Sequence, residues 1–130
     1  MGNYVIAAVD DIFFASKIRG TAEQLGVKVL FARTVDAVME AAGDDRPSLI
    51  IADLHSQKID AIDLAKRLKS DEQLSPIPLL GFFSHVQTEL KELAEGAGFE
   101  RVMPRSAFSG RLADVLRSAS ASRDPGIVGS

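Results

Sequence analysis

Three carboxylates follow hydrophobic runs of the sequence. Asp10 and Asp11 come after the run 4–9, and Asp53 ends the run 49–53. If these two runs are neighbouring parallel strands, their carboxyl ends lie at one edge of the sheet, and the three side chains converge there. Clustered carboxylates repel one another, and a divalent cation relieves that repulsion. Because Mg²⁺ prefers oxygen ligands, the pattern predicts a Mg²⁺ site.

Two more polar residues follow later hydrophobic runs. Ser84 offers a hydroxyl after the run 77–83, and Arg105 offers a fixed positive charge after the run 99–103. An aspartate beside a metal ion, with a hydroxyl and a cation opposite, is suited to attack phosphorus and form an acyl phosphate. In this interpretation Asp53 is the nucleophile, and the metal, the hydroxyl and the cation neutralise the transferring oxygens.

Each of these residues also has a structural interpretation. Asp11 is placed to cap the helix that follows it. Ser84 and Gln87 form the pattern of a capping box. Arg105 could equally form a plain salt bridge to the acidic residues. The residue types leave these alternatives open.

Hydrophobic runs alternate with segments of helical periodicity along the chain. Five strands are predicted at Tyr4–Val9, Val27–Phe31, Leu49–Asp53, Ile77–Phe83 and Phe99–Met103. Five helices are predicted at Ile12–Leu25, Thr34–Ala42, Asp60–Lys69, Val86–Glu95 and Ala107–Ala119. The runs are continuously apolar, which is typical of parallel strands buried on both faces. We therefore expect a three-layer α/β domain of the flavodoxin-like (βα)5 type, with a five-stranded parallel sheet in the order 2-1-3-4-5.

Residues with known capping preferences bound several of these helices. Thr34 and Ser106 are predicted N-caps. Gly26, Gly43 and Gly96 are predicted to follow or end the first, second and fourth helices. These positions set the expected helix boundaries.

Two groups of side chains are predicted to have structural roles. Lys66, Arg67 and Lys69 are interpreted as a solvated helix face, and Phe82 and Phe83 as core residues on the two sides of the sheet. Neither group is expected to take part in phosphoryl transfer or metal binding.

Length and composition limit the classes of function. The chain has 130 residues, a net charge of −3 and no cysteine, which predicts one domain at 1–120 with a flexible tail at 121–130. Disulfides and thiolate metal sites are excluded. We expect a cytoplasmic protein that binds neither a membrane nor nucleic acid directly, because no long apolar or basic run is present.

The sequence resembles the receiver domain of two-component response regulators, the chemotaxis-type receiver. The resemblance covers roughly residues 4–120 and rests on four segments taken in order. These are VDD at 9–11, LIIADL at 49–54, IPLLGFFS at 77–84 and GAGFERVMPR at 96–105.

The resemblance implies roles for the residues at the strand ends. These roles are Asp53 as phosphoacceptor, Asp11 as direct Mg²⁺ ligand, Asp10 as a ligand mainly through water, the carbonyl of His55 as a further ligand, and Ser84 as switch hydroxyl. It also implies a phosphohistidine donor on a histidine kinase or phosphotransfer protein. A downstream protein would bind the helix 4–strand 5–helix 5 face, and a homodimer is compatible with it. The protein would be no enzyme beyond catalysing its own phosphorylation and dephosphorylation.

The sequence also departs from the pattern of that family. Arg105 stands where the family has lysine, with Pro104 before it and Ser106 after it instead of a following proline. Val102 stands at a commonly aromatic position. The Met-Pro pair and the glycine after the phosphoacceptor are replaced by Ser56, Gln57 and Ala61.

Two histidines flank the candidate site. His55 follows Asp53 by two residues, and His85 follows Ser84 directly. They are interpreted as residues at the pocket edge that gate water, or as ligands of a softer metal.

Two alternative functions are considered, and the departures at Arg105, Val102 and His85 support the first of them. One is a pseudo-receiver, an interaction or dimerisation module that works without phosphorylation. The other is a small hydrolase with an aspartyl nucleophile, which the sequence disfavours because it shows no cap domain and no second acid placed as a general acid–base.

Overall fold

The computed structural model describes residues 4–84 and 88–121. A five-stranded parallel sheet has the order β2-β1-β3-β4-β5, which confirms the expected order. The strands are β1 (Tyr4–Ala8), β2 (Lys28–Ala32), β3 (Leu49–Asp53), β4 (Leu79–Phe83) and β5 (Arg101–Pro104). The helices are α1 (Ile12–Leu25), α2 (Val35–Asp44), α3 (Ala61–Ser70), α4 (Thr88–Ala97), α5 (Arg105–Gly110) and α6 (Leu112–Ala121).

Two layers of helices cover the sheet. Side chains of a strand alternate between its faces, so Ile6 and Ile50 pack with α2, α3 and α4, whereas Ile51 and Phe82 pack with α1, α5 and α6. Every residue of β1, β3 and β4 is buried. The edge strands β2 and β5 are partly exposed. Burial on both faces explains the continuously apolar runs of the central strands.

Two helices begin at the expected capping residues, and a third begins one residue after its predicted start. The side chain of Asp11 caps α1, and the hydroxyl of Thr34 caps α2 by accepting the N–H of Ala37 at 3.0 Å. Asp60 caps α3 in the same way. Helix α1 ends at Gly26, whose φ of 71° lies in the left-handed region that favours glycine. The predicted bounds of α1 are confirmed.

The predicted last helix is wrong in two respects. It begins at Arg105, directly after Pro104, so Ser106 lies inside α5 and is not its N-cap. It is also two helices, because Arg111 (φ −108°, ψ 7°) leaves the helical conformation between α5 and α6. The break follows Gly110, and glycine disfavours helix by about 1 kcal/mol relative to alanine.

Other boundaries shift by a few residues. Helix α2 continues through Gly43, and α4 continues through Gly96. The predicted start of the fourth helix at Val86, the partner Gln87 of the capping box and the tail 122–130 lie outside the described residues. Within the described ranges no helix combines the length and apolarity needed to cross a membrane.

The predicted solvated face of α3 is wrong at Lys69, whose side chain is only 23% exposed. Its Nζ donates to the carbonyls of Ser75 (2.9 Å) and Ile77 (3.2 Å) and pairs with Glu100 (3.0 Å). The other carboxylate oxygen of Glu100 accepts the N–H of Leu79 at 2.8 Å. This group, the Lys69 cluster, ties the α3–β4 connection to the amino end of β4.

Candidate functional site

Asp53 ends the central strand β3 and points its carboxylate to the carboxyl edge of the sheet. It is only 7% exposed, and it is the one charged side chain that is buried among residues 4–84 and 88–120. Its Oδ1 accepts the backbone N–H of His55 at 2.9 Å. Burial raises the pKa of Asp53, and the charge of Asp10 raises it further, whereas the His55 N–H and Arg105 lower it.

The register of the sheet brings Asp10 and Asp53 to the same edge. Strands β1 and β3 are neighbours, with Ala8 opposite Ala52. The carboxyl ends of the two strands therefore lie side by side. The negative charge of Asp10 acts on Asp53 across this edge. The structure thus places Asp10 and Asp53 at one edge of the sheet.

Close packing holds the segment that follows Asp53. The N–H of Leu54 donates to the carbonyl of Phe82 on β4 at 2.9 Å. The Leu54 side chain lies over Gly81, where a Cβ would stand only 3.0 Å from its Cδ2. Glycine at this position therefore lets the residue after Asp53 pack against the sheet.

Asp11 is engaged in two structural contacts. Its Oδ1 accepts the N–H groups of Phe13 (2.9 Å) and Phe14 (3.1 Å) and so caps α1. Its Oδ2 pairs with Nη2 of Arg105 at 2.9 Å. The bond to Arg105, together with the two backbone bonds, lowers the pKa of Asp11. Both structural alternatives noted from the sequence, the helix cap and the salt bridge, are present.

Arg105 lies across the edge from Asp53 and packs on an aromatic ring. Its guanidinium carbon is 4.3 Å from the centroid of Phe14, within the range of a cation–π contact. Phe14 packs against Phe82 and Phe108, with centroids 4.9 and 5.8 Å away. The positive charge also lowers the pKa of Asp53, although less than the His55 N–H does.

The sequence reasoning missed the role of Phe14. Its place in the apolar stripe of α1 predicts burial, and Phe14 is 6% exposed whereas the adjacent Phe13 is 83% exposed. The helical period could have indicated this difference. The contact with Arg105 depends on α1 packing against α6 and on Phe14 reaching Phe108 of α5, which no local pattern encodes.

Ser84 is exposed and directly follows β4. It lines an open cavity of about 470 Å³ between α1 and the start of α5. The other residues that line this cavity are Phe14, Lys17, Pro104, Arg105, Ser106 and Ser109. The hydroxyl is therefore on the same side of the sheet edge as the guanidinium of Arg105.

The structure describes two of the three remaining positions that the sequence singled out, Val102 and His55. Val102, at the position that the family commonly fills with an aromatic residue, is half-buried and packs against the α2–α3–α4 side of the core. His55 is half-buried and contributes its backbone N–H to Asp53. His85 lies outside the described residues.

The donor chemistry fits a hard divalent cation only in part. Carboxylates of the right type lie at this edge, but across residues 4–84 and 88–121 no group of three or more His, Asp or Glu side chains is arranged to hold a metal ion. Asp11 is held by Arg105 and by the first turn of α1. The carboxylates that remain for a cation are those of Asp10 and Asp53.

Comparisons with known proteins identify the fold. No protein-family model and no curated protein matches the sequence. The chemotaxis response regulator CheY4 of Vibrio cholerae has a similar structure, with a TM-score of 0.77 and 19% identity over 89% of this chain and 97% of that chain. The receiver domain of NtrX from Brucella abortus has a TM-score of 0.76 and 19% identity over 90% and 98% of the two chains.

A third similar structure is the signal receiver domain of a signal transduction histidine kinase from Syntrophus aciditrophicus. Its TM-score is 0.79, with 17% identity over 93% of this chain and 92% of that chain. All three similarities cover nearly the whole of both chains. The chain therefore has the fold of response regulator receiver domains.

Proposed function

We propose that this chain is a receiver domain of two-component signalling, and that Asp53 accepts a phosphoryl group from a phosphohistidine. The donor would be a histidine kinase or a phosphotransfer protein. The fold supports the receiver assignment, because the similar structures are receivers. The phosphoacceptor role is a proposal about this chain's own residues.

One observation carries this proposal. Asp53 is the charged side chain that the described structure buries, and it lies at the carboxyl end of the central strand. Burying a carboxylate is unfavourable unless other groups compensate, and it raises the pKa of Asp53. A fold retains a costly buried acid at a sheet edge most often for function.

The reaction would be a direct phosphoryl transfer. A carboxylate oxygen of Asp53 attacks the phosphorus of a phosphorylated imidazole, and a new O–P bond forms. The P–N bond breaks, and its electron pair stays on the imidazole nitrogen, which takes up a proton. In this proposal Arg105 would attract the negative oxygens, and Ser84 would donate a hydrogen bond to one of them.

We also propose Mg²⁺ as the cofactor. Asp10, Asp53 and the backbone carbonyl of His55 would hold it, with water completing its coordination. When bound, Mg²⁺ supplies positive charge that offsets the phosphoryl oxygens. The carboxylates of Asp10 and Asp53 support this proposal, since both act at the same edge.

A phosphodonor assay tests the function. The purified chain is incubated with acetyl phosphate and Mg²⁺, and intact-mass spectrometry detects the gain of one phosphoryl group. We expect a gain in the wild type and in Asp36→Asn, whose aspartate is exposed on α2, and no gain in Asp53→Asn. A folded wild type that gains no mass, or an unchanged gain in Asp53→Asn, contradicts the proposal.

The downstream partner would bind the face formed by α4, β5 and the α5–α6 pair. Leu93 on α4 is 59% exposed, and Arg101 on the edge strand β5 is exposed. An exposed leucine beside an uncovered strand edge is suited to a protein contact. A second copy of the chain could use the same face.

A specific observation favours a second candidate function, the phosphorylation-independent interaction module. Asp11 is already neutralised by Arg105, so the acidic edge is partly satisfied without metal or phosphate. The same mass assay separates the two functions, because an interaction module of this kind would remain unmodified. The protein would in either case be no enzyme beyond its own phosphorylation and dephosphorylation.

A further inference from the structure

The carboxylate of Asp11 has hydrogen-bond donors on both of its oxygens. Oδ1 accepts from the N–H groups of Phe13 and Phe14 at 2.9 and 3.1 Å. Oδ2 accepts from Nη2 of Arg105 at 2.9 Å. A metal ion bound directly to Oδ2 would lie next to the guanidinium of Arg105, and the repulsion between these two cations opposes direct ligation while Arg105 stays in place.

The helix cap is the less replaceable of the two sets of bonds. It satisfies the N–H groups of the first turn of α1, which have no partner within the helix. Arg105, by contrast, is about one third exposed, and water can solvate its guanidinium after it leaves. The ion pair is therefore the contact that an incoming cation would break.

Arg105 is nevertheless held in place by more than Asp11. Its guanidinium lies 4.3 Å from the centroid of the Phe14 ring. That ring is fixed by contacts with Phe82 and Phe108. Arginine stacks on aromatic rings and stays charged at all ordinary pH values, whereas lysine presents a compact and strongly hydrated ammonium. The structure thus prepares a fixed positive charge at the acidic edge.

We propose that Arg105 is the resident counter-ion of Asp11 and that a divalent cation gains Asp11 as a ligand only by displacing it. This inference rests on the proposed Mg²⁺ site and deepens it. The wild type would bind Mg²⁺ with only two carboxylates, those of Asp10 and Asp53, and hence weakly. Removing the guanidinium would free Asp11 as a third carboxylate ligand.

A double-mutant cycle on Arg105 and Asp11 tests the proposal. Isothermal titration calorimetry measures the Kd for Mg²⁺ in the wild type, Arg105→Gln, Asp11→Asn and the double variant. Asparagine preserves the helix cap, since its side-chain oxygen also accepts from backbone N–H groups. This choice separates the ligand role of Asp11 from its structural role.

We expect Arg105→Gln to bind Mg²⁺ roughly 2- to 5-fold tighter, the range set by an ion pair that is partly exposed. Asp11→Asn alone should change the Kd less than about twofold, because the ion pair already occupies Asp11. The double variant should lose the gain. No tightening in Arg105→Gln, or the same tightening with and without Asp11, overturns the proposal.

A matched control separates the specific pair from the general loss of positive charge. Arg117 on α6 also pairs with an aspartate, Asp114, at 2.7 Å. Arg117→Gln removes one charge and one ion pair and should leave the Kd unchanged. If Arg117→Gln tightens Mg²⁺ binding as much as Arg105→Gln does, net charge explains the effect and the proposal is overturned.

Two further measurements keep the test decisive. If Arg105→Gln fails to fold, Arg105→Met, which keeps most of the aliphatic stem and removes the charge, replaces it in the cycle, and an unchanged Kd in that variant overturns the proposal. Phosphorylation of Asp53 is read separately, by mass, in the same four proteins. If the wild type is phosphorylated but the cycle shows no coupling between Arg105 and Asp11, the proposed function stands and only the proposed role of Arg105 is overturned.

Discussion

The two edges of the sheet each carry a salt bridge of similar length. Lys69 and Glu100 approach to 3.0 Å at the amino edge, and Arg105 and Asp11 to 2.9 Å at the carboxyl edge. In the Lys69 cluster every further bond goes to the backbone, two from the lysine and one to the glutamate. The pair therefore serves as an anchor for the α3–β4 connection.

The carboxyl edge is organised differently. Three carboxylates, Asp10, Asp11 and Asp53, share it with the single guanidinium of Arg105, and Asp53 is buried there. Its negative charge is balanced only in part. The difference indicates that charge at the amino edge stabilises the fold, whereas the buried charge at the carboxyl edge has a cost in stability, which the proposed function would explain.

The largest expected effect concerns the aromatic support of the carboxyl edge. Phe14→Ala should lower the free energy of unfolding by about 3 kcal/mol, because it removes a buried ring that contacts Phe82 and Phe108. Phe13→Ala is the matched control, since Phe13 is 83% exposed, and should change stability by less than about 0.5 kcal/mol. Urea unfolding followed by circular dichroism measures both. Equal losses of stability in the two variants would contradict a stabilising role for the Phe14 ring.

The next effect tests the amino edge. Lys69→Met keeps the aliphatic stem but leaves two carbonyls and Glu100 without the ammonium, so the free energy of unfolding should fall by about 2 kcal/mol. Lys66→Met, on the exposed face of the same helix, should have little effect. Urea unfolding again provides the measurement. Phosphorylation of the folded Lys69→Met protein should be unchanged, and a loss of phosphorylation would argue against separate roles for the two edges.

The smallest expected effect is an increase in stability, on replacing Asp53. Burial raises the pKa of Asp53 in the folded state. The protonated side chain therefore favours folding at pH values below the pKa of Asp53 in the unfolded chain, and this contribution to stability is lost as the pH rises through the raised pKa of the folded state. At pH 7 without metal, Asp53→Asn should therefore raise the free energy of unfolding by about 1 kcal/mol.

The gain from Asp53→Asn should shrink as pH falls through the raised pKa of Asp53, since protonation also removes the charge. Thermal unfolding in chelator-containing buffers from pH 7 down to pH 4 measures this trend, with Asp36→Asn as the exposed control. A variant less stable than the wild type at pH 7 would contradict the assignment of Asp53 as a destabilising buried charge.

Local sequence patterns predicted much of the fold. Continuous apolar runs located all five strands, and the bounds of α1 between Asp11 and Gly26 follow from capping preferences that act within a few residues. The last helix was mispredicted, because a weak break at Gly110 and Arg111 competes with a strong helical pattern around it. Lys69 was misassigned to solvent, since its partners lie six to thirty-one positions away.

The sequence by itself determined which side chains reach the carboxyl edge, because strand ends and helix caps depend on residues close in the chain. The packing of α1 against the α5–α6 pair and the neighbouring positions of β1 and β3 decided how those side chains pair. Asp11 meets Arg105 across 94 positions, and a contact of that range depends on the whole assembled core. A pattern of residues can nominate an aspartate as a metal ligand, but only the tertiary structure decides whether an arginine already occupies it.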